Sequence, residues 1–262
     1  MEVGENMKAK HIIGAILMVI LTLTGIVLSF GTAIIQVLSA DGIMQSMVKV
    51  DYLSASEQEA RNVLLNYLEP EKADTVLSEI SVKSDIREIA TAFDNNSVTE
   101  VAEEVKRNIK KQIIEILDKD IPDATKESFA TVVSDSYIKV IFPVKEFNML
   151  SSIYETYSTK LVFAIIILAV ICIVIYIFLA LGKKTYKWAI IAMYNIIILN
   201  IILILVLGIF NGIVIGNERT TAVIANILFT IKINVTIVTI IILIITVISN
   251  YIAYFSKRKH SR

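Results

Sequence analysis

Cysteine and proline are both scarce in this chain of 262 residues, which contains one Cys and three Pro. A single Cys cannot form an internal disulfide, so the class of small secreted proteins stabilised by disulfides is excluded. The one thiol, Cys172, lies within an apolar run, where we expect it to act as a small apolar filler. The scarcity of proline leaves long stretches in which a helix can continue without a break.

Charged residues are missing altogether from four long stretches. No Asp, Glu, Lys or Arg occurs in residues 12–38, 161–181, 189–210 or 233–255. Each stretch is long enough to cross a hydrocarbon core about 30 Å thick, which takes about 20 apolar residues in a helix. We therefore predict four transmembrane helices. The first is much longer than the roughly 7–15 apolar residues of a secretory signal, so we expect it to remain as an anchor.

Lys and Arg in the short connecting segments predict which side of the membrane each segment faces. Short loops rich in these residues are retained in the cytoplasm. Both ends of the chain and the turn between the second and third stretches are basic, through Lys8, Lys10, Lys183, Lys184, Lys187, Lys257, Arg258, Lys259 and Arg262. The loop on the opposite side carries only Arg219 against Glu218. Both termini are therefore predicted to be cytoplasmic, and the membrane to be the plasma membrane.

The long segment between the first two stretches is rich in charge. Residues 40–159 hold 22 acidic and 13 basic residues, a net charge of 13 − 22 = −9. Their number is sufficient for one hydrophobic core. The sequence thus predicts an all-α membrane protein with four transmembrane helices and a large helical extracytoplasmic domain inserted between the first and second.

The predicted order is a cytoplasmic N-terminus (1–11), transmembrane helix 1 (12–38), the extracytoplasmic domain (39–159), transmembrane helix 2 (160–182), a cytoplasmic basic turn (183–188), transmembrane helix 3 (189–211), an outer loop (212–221), an outer helical extension with transmembrane helix 4 (222–255), and a cytoplasmic basic tail (256–262).

Apolar periodicity predicts that the extracytoplasmic domain is a helical bundle. The clearest helix covers 98–116, in which apolar residues recur at three- and four-residue spacing at Val98, Val101, Val105, Ile109, Ile113 and Ile116. Other helices are predicted at about 57–68, 71–80, 85–93 and 123–139, with a last one running from 146 into the second span. Ser54 with Glu57 and Ser56 with Glu59 have the spacing of a capping box, which marks a helix start.

Residue patterns typical of an active site are missing from the sequence. The two histidines, His11 and His260, lie at predicted cytoplasmic helix ends. Two Ser-x-x-Lys spacings, beginning at Ser46 and Ser136, lack the companion motifs of acyl-serine enzymes. We therefore expect a protein that is not an enzyme and that uses no cofactor, no metal and no nucleic acid.

Two charged clusters of the domain have alternative interpretations. Three acids lie close together in sequence at Asp118, Asp120 and Asp123. They either supply oxygen ligands to a hard cation or form a solvated helix end, and the second is expected because the order of a calcium loop is missing. A surface basic patch is predicted at Lys106, Arg107, Lys110 and Lys111. It either meets anionic headgroups and wall polymers or is the exposed face of a helix, paired from Glu103 to Arg107 and from Lys111 to Glu115.

Polar and small residues inside the apolar stretches are the remaining candidates. Polar side chains are costly in hydrocarbon and tend to face other protein. The candidate intramembrane contacts are Asn195, Asn200, Lys232 and Asn234. Lys232 either reaches the outer headgroups or lines a polar path with Asn200. Close helix packing is predicted where small residues recur every four positions, at Gly25, Ser29 and Ala33 and at Gly208 and Gly212. Gly212 either joins this packing or simply forms part of the outer loop.

These features favour a bacterial membrane protein whose outer domain binds or senses a partner at the cell surface, alone or as a subunit of an envelope complex. The expected partners are the lipid bilayer and a protein that contacts the outer domain or the membrane helices. The alternative is a small transporter or channel component with a polar path through helices 3 and 4.

Cysteine labelling tests the predicted orientation. In a Cys172→Ala background, Cys introduced at Asn96 should react with an impermeant maleimide added to intact cells. Cys introduced at Thr185 or Ser261 should react only after the cells are opened, because short basic segments are retained in the cytoplasm. Labelling of the Thr185→Cys variant in intact cells would reverse the assignment.

Overall fold

A computed structural model of the protein describes residues 2–182, 185–214 and 219–259, with side chains over 11–182, 185–212 and 219–251. Every element in these ranges is helical, and four helices contain stretches long and apolar enough to cross a membrane. This confirms the prediction of an all-helical chain with four long apolar helices.

Short connections join the successive helices. Over the described ranges they are α1 (Glu2–Val37), α2 (Ala40–Lys49), α3 (Tyr52–Tyr67), α4 (Pro70–Glu79), α5 (Val82–Thr91), a 3-10 turn (Ala92–Asn95), α6 (Val98–Ile116), α7 (Asp123–Ile141), α8 (Val144–Leu181), α9 (Tyr186–Val214) and α10 (Arg219–Lys259). The four long apolar helices are α1, α8, α9 and α10.

The chain divides into two compact units. The apolar unit consists of the described residues of Met1–Val37, Thr159–Ile215 and Leu228–Arg262, and the polar unit consists of those of Leu38–Ser158 and Gly216–Ile227. Helices α8 and α10 therefore contribute residues to both units. The polar unit includes the start of α10, a segment that the sequence predicts as an outer loop and a separate helical extension.

The polar unit is organised around α6, whose bounds coincide with the predicted 98–116 helix. Its buried side chains are Val98, Ala102, Val105, Ile109 and Ile113. They form one apolar stripe on a helix that packs against α7 and also contacts α4 and α5. Of the predicted stripe, Val101 and Ile116 are only half-buried, and Ala102 is buried in addition.

An aromatic cluster fixes the beginning of α8 within the polar unit. The rings of Phe142 and Phe147 have centroids 4.9 Å apart, and the ring of Phe93 meets that of Phe147 edge-on at 6.4 Å. All three side chains are buried. Ser151 on α8 also donates a hydrogen bond to the carbonyl of Phe93. Edge-to-face ring pairs of this kind stabilise a core beyond their buried area.

A partly buried hydrogen bond joins α5 to α7. The Tyr137 hydroxyl donates a hydrogen bond to Asp85 Oδ2 at 2.6 Å, and the Tyr137 side chain is fully buried. Burial raises the pKa of both groups above their ordinary values, because each charged form loses its hydration. The phenol therefore stays neutral at physiological pH and remains a hydrogen-bond donor.

Helix α3 begins earlier than the sequence predicts. The chain enters it through Asp51, whose backbone is left-handed with φ 54°, and the helix runs from Tyr52 to Tyr67. Ser54 and Ser56 lie inside this helix, so the prediction of capping boxes there is wrong. The physical reason is that α3 buries a continuous face, consisting of Tyr52, Ser56, Ala60 and Leu64. Burial along that face extends the helix beyond the start that a hydroxyl cap would set.

Helix α2 has no counterpart among the predicted helices. The Ser39 hydroxyl caps its start by accepting a hydrogen bond from the Gly42 amide at 3.2 Å. A carboxylate from outside the helix makes the second contact. Asp94 Oδ1 accepts a hydrogen bond from the Ala40 amide at 2.8 Å. This second contact joins residues 54 positions apart in sequence, which explains why local patterns did not indicate it.

Substitution of Ile109 tests whether the α6 stripe is the core of the polar unit. Ile109 is 1% exposed, so Ile109→Asp buries a carboxylate without a partner at a cost of several kcal/mol, about 3 or more. We expect the polar unit of the detergent-solubilised full chain to lose its resistance to protease. Asn108→Asp, at an exposed position of the same helix, is the control. Equal resistance of the two variants would contradict this assignment of the core.

Candidate functional site

Arg219, the first described residue of α10, makes several side-chain contacts within the polar unit. Its Nη1 donates to Ser56 Oγ at 2.8 Å, and its Nη2 donates to the Val140 carbonyl at 3.0 Å. The same Nη2 forms an ion pair with the carboxylate of Glu59. The guanidinium thus connects the start of α10 to α3 and to α7 within one unit.

The ring of Tyr52 completes this arrangement. The Arg219 guanidinium carbon lies 5.4 Å from the ring centroid, within the range of a cation–π contact. Burial raises the pKa of Tyr52 to about 12, and the positive charge of Arg219 lowers it in part. The phenol is therefore neutral at physiological pH. We name the contacts of Arg219 with Tyr52, Ser56, Glu59 and Val140 the Arg219 clamp.

Helix geometry explains why α3 supplies three members of the Arg219 clamp. Tyr52, Ser56 and Glu59 are four and then three residues apart, so they lie on one face of the helix. Ser56 is fully buried, which is unusual for a hydroxyl on an otherwise apolar face. The sequence signal for this site is a single Ser that falls on the four-residue spacing of the buried face of α3. The spacing of Ser56 and Glu59 instead matches a capping box.

A cavity of about 320 Å³ lies beside the Arg219 clamp. Its lining residues are Tyr52, Glu59, Lys139, Val140, Pro143, Arg219 and Thr220. Lys139 lies in the last turn of α7 and forms no ion pair with any described residue. Arg219, by contrast, already pairs with Glu59. The charged groups of the lining therefore carry one surplus positive charge.

The predicted polar contact at Asn200 lies between α9 and α1 of the apolar unit. Asn200 is fully buried, and its Nδ2 donates to Ser29 Oγ at 3.2 Å. Ser29 in turn donates to the Gly25 carbonyl at 2.9 Å. Asn200 Oδ1 has no hydrogen-bond partner among the described atoms. A buried amide with only one of its two ends paired is a costly feature, and it fixes the facing positions of α1 and α9.

The small residues of α1 allow α9 to approach closely. A Cβ atom at Gly25 would come 2.5 Å from Ile196 Cδ1, a separation that would displace the Ile196 side chain. Ser29 and Ala33 are each 1% exposed. Gly208 and Gly212 differ from this pattern, since a Cβ atom at either would meet no described atom within 4 Å. The packing expected at these two glycines therefore has no contact in the described structure.

The other intramembrane candidates contact different neighbours. Asn234 Nδ2 donates to Gln36 Oε1 at 3.2 Å, which links α10 to α1. The Lys232 ammonium lies 5.2 Å from the ring centroid of Phe229 on its own helix. Asn195 is half-buried on α9. The contacts of Asn200 and Lys232 involve separate sets of residues, so the described contacts do not join these two residues into one path.

The predicted basic patch of α6 is largely neutralised by acids. Lys106 pairs with Asp135 at 2.6 Å and with Glu103 at 3.4 Å, Lys110 pairs with Glu127 at 2.8 Å, and Lys111 pairs with Glu115 at 3.9 Å. Glu103 therefore contacts Lys106 rather than the expected Arg107. The hydrogen bond to Asp135 raises the pKa of Lys106. The pairs with Asp135 and Glu127 join α6 to α7, and all four pairs favour an exposed helix face over an anion-binding patch.

The acidic cluster is also divided by pairing. Asp118 accepts two hydrogen bonds from Lys72 Nζ, at 3.0 and 3.1 Å. No group of three metal-ligating side chains occurs in the part of the chain that the structure describes.

Comparison of the chain with protein-family models, curated proteins and solved structures finds no match.

Removal of the Arg219 guanidinium tests the strength of the clamp. Arg219→Gln leaves part-buried acceptors unpaired, and we expect a loss of about 1–3 kcal/mol in the free energy of unfolding of the polar unit. The measurement is pulse proteolysis of the solubilised full chain across a urea series. The matched control is Arg61→Gln, because Arg61 on α3 pairs with Asp74 on α4 at 3.0 Å while both side chains are 56% exposed. A surface pair of this kind contributes about 1 kcal/mol or less. Equal losses in both variants would contradict a structural role for the clamp.

Proposed function

We propose that this protein is a multi-pass plasma-membrane protein, not an enzyme, whose polar unit lies outside the cytoplasm and binds or senses a partner at the cell surface. Four apolar helices of sufficient length support the membrane part of this proposal. The nine Lys and Arg residues of the short segments support the orientation, with both termini in the cytoplasm.

Helix α8 has an exposed apolar surface that is suited to contact with lipid. Its most apolar window contains no buried residue, and its exposed side chains include Phe163, Val170 and Phe178. In water such a surface would be an aggregation hazard, whereas in a bilayer it faces acyl chains of the same polarity. Lipid is therefore the partner we propose for this face.

The Arg219 clamp is the observation that carries the sensing part of the proposal. Its members belong to α3, α7 and the first turn of α10, and α10 continues without interruption to Lys259. A partner that shifts α3 or α7 therefore acts directly on the start of a helix that includes one of the four apolar stretches. Allosteric coupling requires such an element, whose position both sites can bias.

Transport remains the alternative because of one observation, the unpaired Oδ1 of buried Asn200. Two contacts argue against transport: Asn200 is hydrogen-bonded to Ser29, and Lys232 lies near Phe229.

If Lys232 only anchors a helix end, Lys232→Arg and Lys232→Gln should both have mild effects on function, since a long polar side chain can still reach the headgroup zone. In a polar path, Lys232→Gln and Asn200→Leu should each abolish solute or ion flux in reconstituted liposomes.

Site-specific photo-crosslinking in cells tests the binding proposal. A photoreactive amino acid is placed at Asn108 or Lys119, exposed positions of the polar unit, and in parallel at Phe163 or Ile167, exposed positions of α8. We expect one discrete protein or polymer adduct from the polar unit, and adducts from α8 that are confined to lipid. The polar-unit adduct should persist in the Asn200→Leu and Lys232→Gln variants.

Two results would contradict the proposal. The first is the absence of any discrete adduct from the polar unit. The second is flux in liposomes that both intramembrane substitutions abolish while the protein remains folded, which would favour the transporter.

A further inference from the structure

The cavity beside the Arg219 clamp has the size and chemistry of a small-ligand site. Its volume of about 320 Å³ is at the lower end of the roughly 300–1,000 Å³ typical of small-molecule pockets. The lining combines a few charged and hydroxyl groups with the apolar surfaces of Val140 and Pro143. It is built from α3, α7, the connection before α8 and the first turn of α10, all within the polar unit.

Charge decides which ligand suits this cavity. Glu59 is neutralised by Arg219, which also donates to Ser56 and to the Val140 carbonyl. Lys139 has no acid partner among the described residues, whereas Lys106 and Lys110 each pair with an acid across α6 and α7. An ammonium group has three N–H donors and strongly favours an anionic acceptor. The lining therefore favours an anion.

We propose that this cavity binds a phosphate group, with Lys139 as the principal cation and the Thr220 hydroxyl and the Arg219 guanidinium as further donors. Donors from α7 and α10 line the cavity, and a tetrahedral oxyanion can accept hydrogen bonds from several directions at once. The bound phosphate belongs either to free inorganic phosphate or to an anionic lipid headgroup, since both present the same oxygens.

This inference deepens the proposed function by giving the polar unit a ligand class, and it rests on that proposal only for its biological meaning. Binding to the cavity does not depend on which side of the membrane the polar unit occupies. Loss of a cell-surface adduct and loss of phosphate binding are separate results, so the two proposals can fail independently.

The test uses the purified full chain in a nonionic detergent and in lipid nanodiscs. Inorganic phosphate is titrated into the detergent sample by isothermal calorimetry at constant ionic strength, with chloride as the comparison anion. In parallel, the urea midpoint of the polar unit is compared in nanodiscs of phosphatidylcholine and in nanodiscs containing phosphatidylglycerol. Saturable binding of inorganic phosphate identifies a free-phosphate site, and stabilisation by phosphatidylglycerol alone identifies a headgroup site.

Three variants distinguish this site from a general charge effect. Lys139→Gln should weaken binding at least tenfold, as expected when a charge-assisted hydrogen bond is lost. Glu59→Gln removes the only acid of the lining and should tighten binding severalfold. Lys119→Gln, at an exposed lysine outside the cavity, should leave binding unchanged.

The opposite signs of the Lys139 and Glu59 variants are the decisive result, because loss of folding would weaken binding in both. If Lys139 serves only the end of α7, Lys139→Gln will change the urea midpoint without changing phosphate affinity, and the proposal is then wrong. It is also wrong if neither inorganic phosphate nor phosphatidylglycerol affects the wild-type protein.

Discussion

A charged side chain placed in hydrocarbon costs about 3 kcal/mol on insertion scales, and this cost organises the whole chain. Four stretches contain no charge, and the charged residues of the chain lie outside them. Hydrocarbon also offers the backbone no hydrogen-bond partners, so an apolar stretch that crosses it has to be helical. The division into an apolar and a polar unit follows the same boundary.

Within the apolar unit, hydrogen bonds add specificity to the close packing of apolar side chains. Helices in lipid gain little from burying apolar surface, because acyl chains are as apolar as Leu or Ile. The described contacts join α1 to α9 through Ser29 and Asn200, and α8 to α10 through Tyr176 and Ser249 at 2.6 Å. Cys172 on α8 similarly lies 2.9 Å from the hydroxyl of Thr24 on α1. Each pair therefore determines which faces of the two helices pack together.

The polar unit combines ordinary hydrophobic packing with charged contacts, among them those of Arg219. The stripe of α6 and the rings around Phe93 supply the core. Arg219 then holds the first turn of α10 to α3 and α7 with a half-exposed acid, a buried hydroxyl and a backbone carbonyl. Such a mixed contact is weaker than a packed core, and we propose it as the point at which ligand or partner binding acts on the start of α10.

Over the residues that the structure describes, the sequence by itself determined the number of long apolar helices, the helical class and the 98–116 helix. These properties depend on local composition and on a periodicity of three to four residues, which the sequence displays directly. The prediction from sequence is wrong at the start of α3. Ser54 and Ser56 have the spacing of capping boxes there, but burial of the face that contains Tyr52 extends the helix.

Only the tertiary structure decided the partners of individual side chains. Arg219 and Ser56 are 163 positions apart, and Asn200 and Ser29 are 171 positions apart. It also decided which predicted features have contacts, since Gly25 packs against Ile196 while Gly208 and Gly212 face open space in the described structure. Local patterns contain no information on such pairs, because a hydrogen bond between distant residues depends on which faces of separate helices pack together.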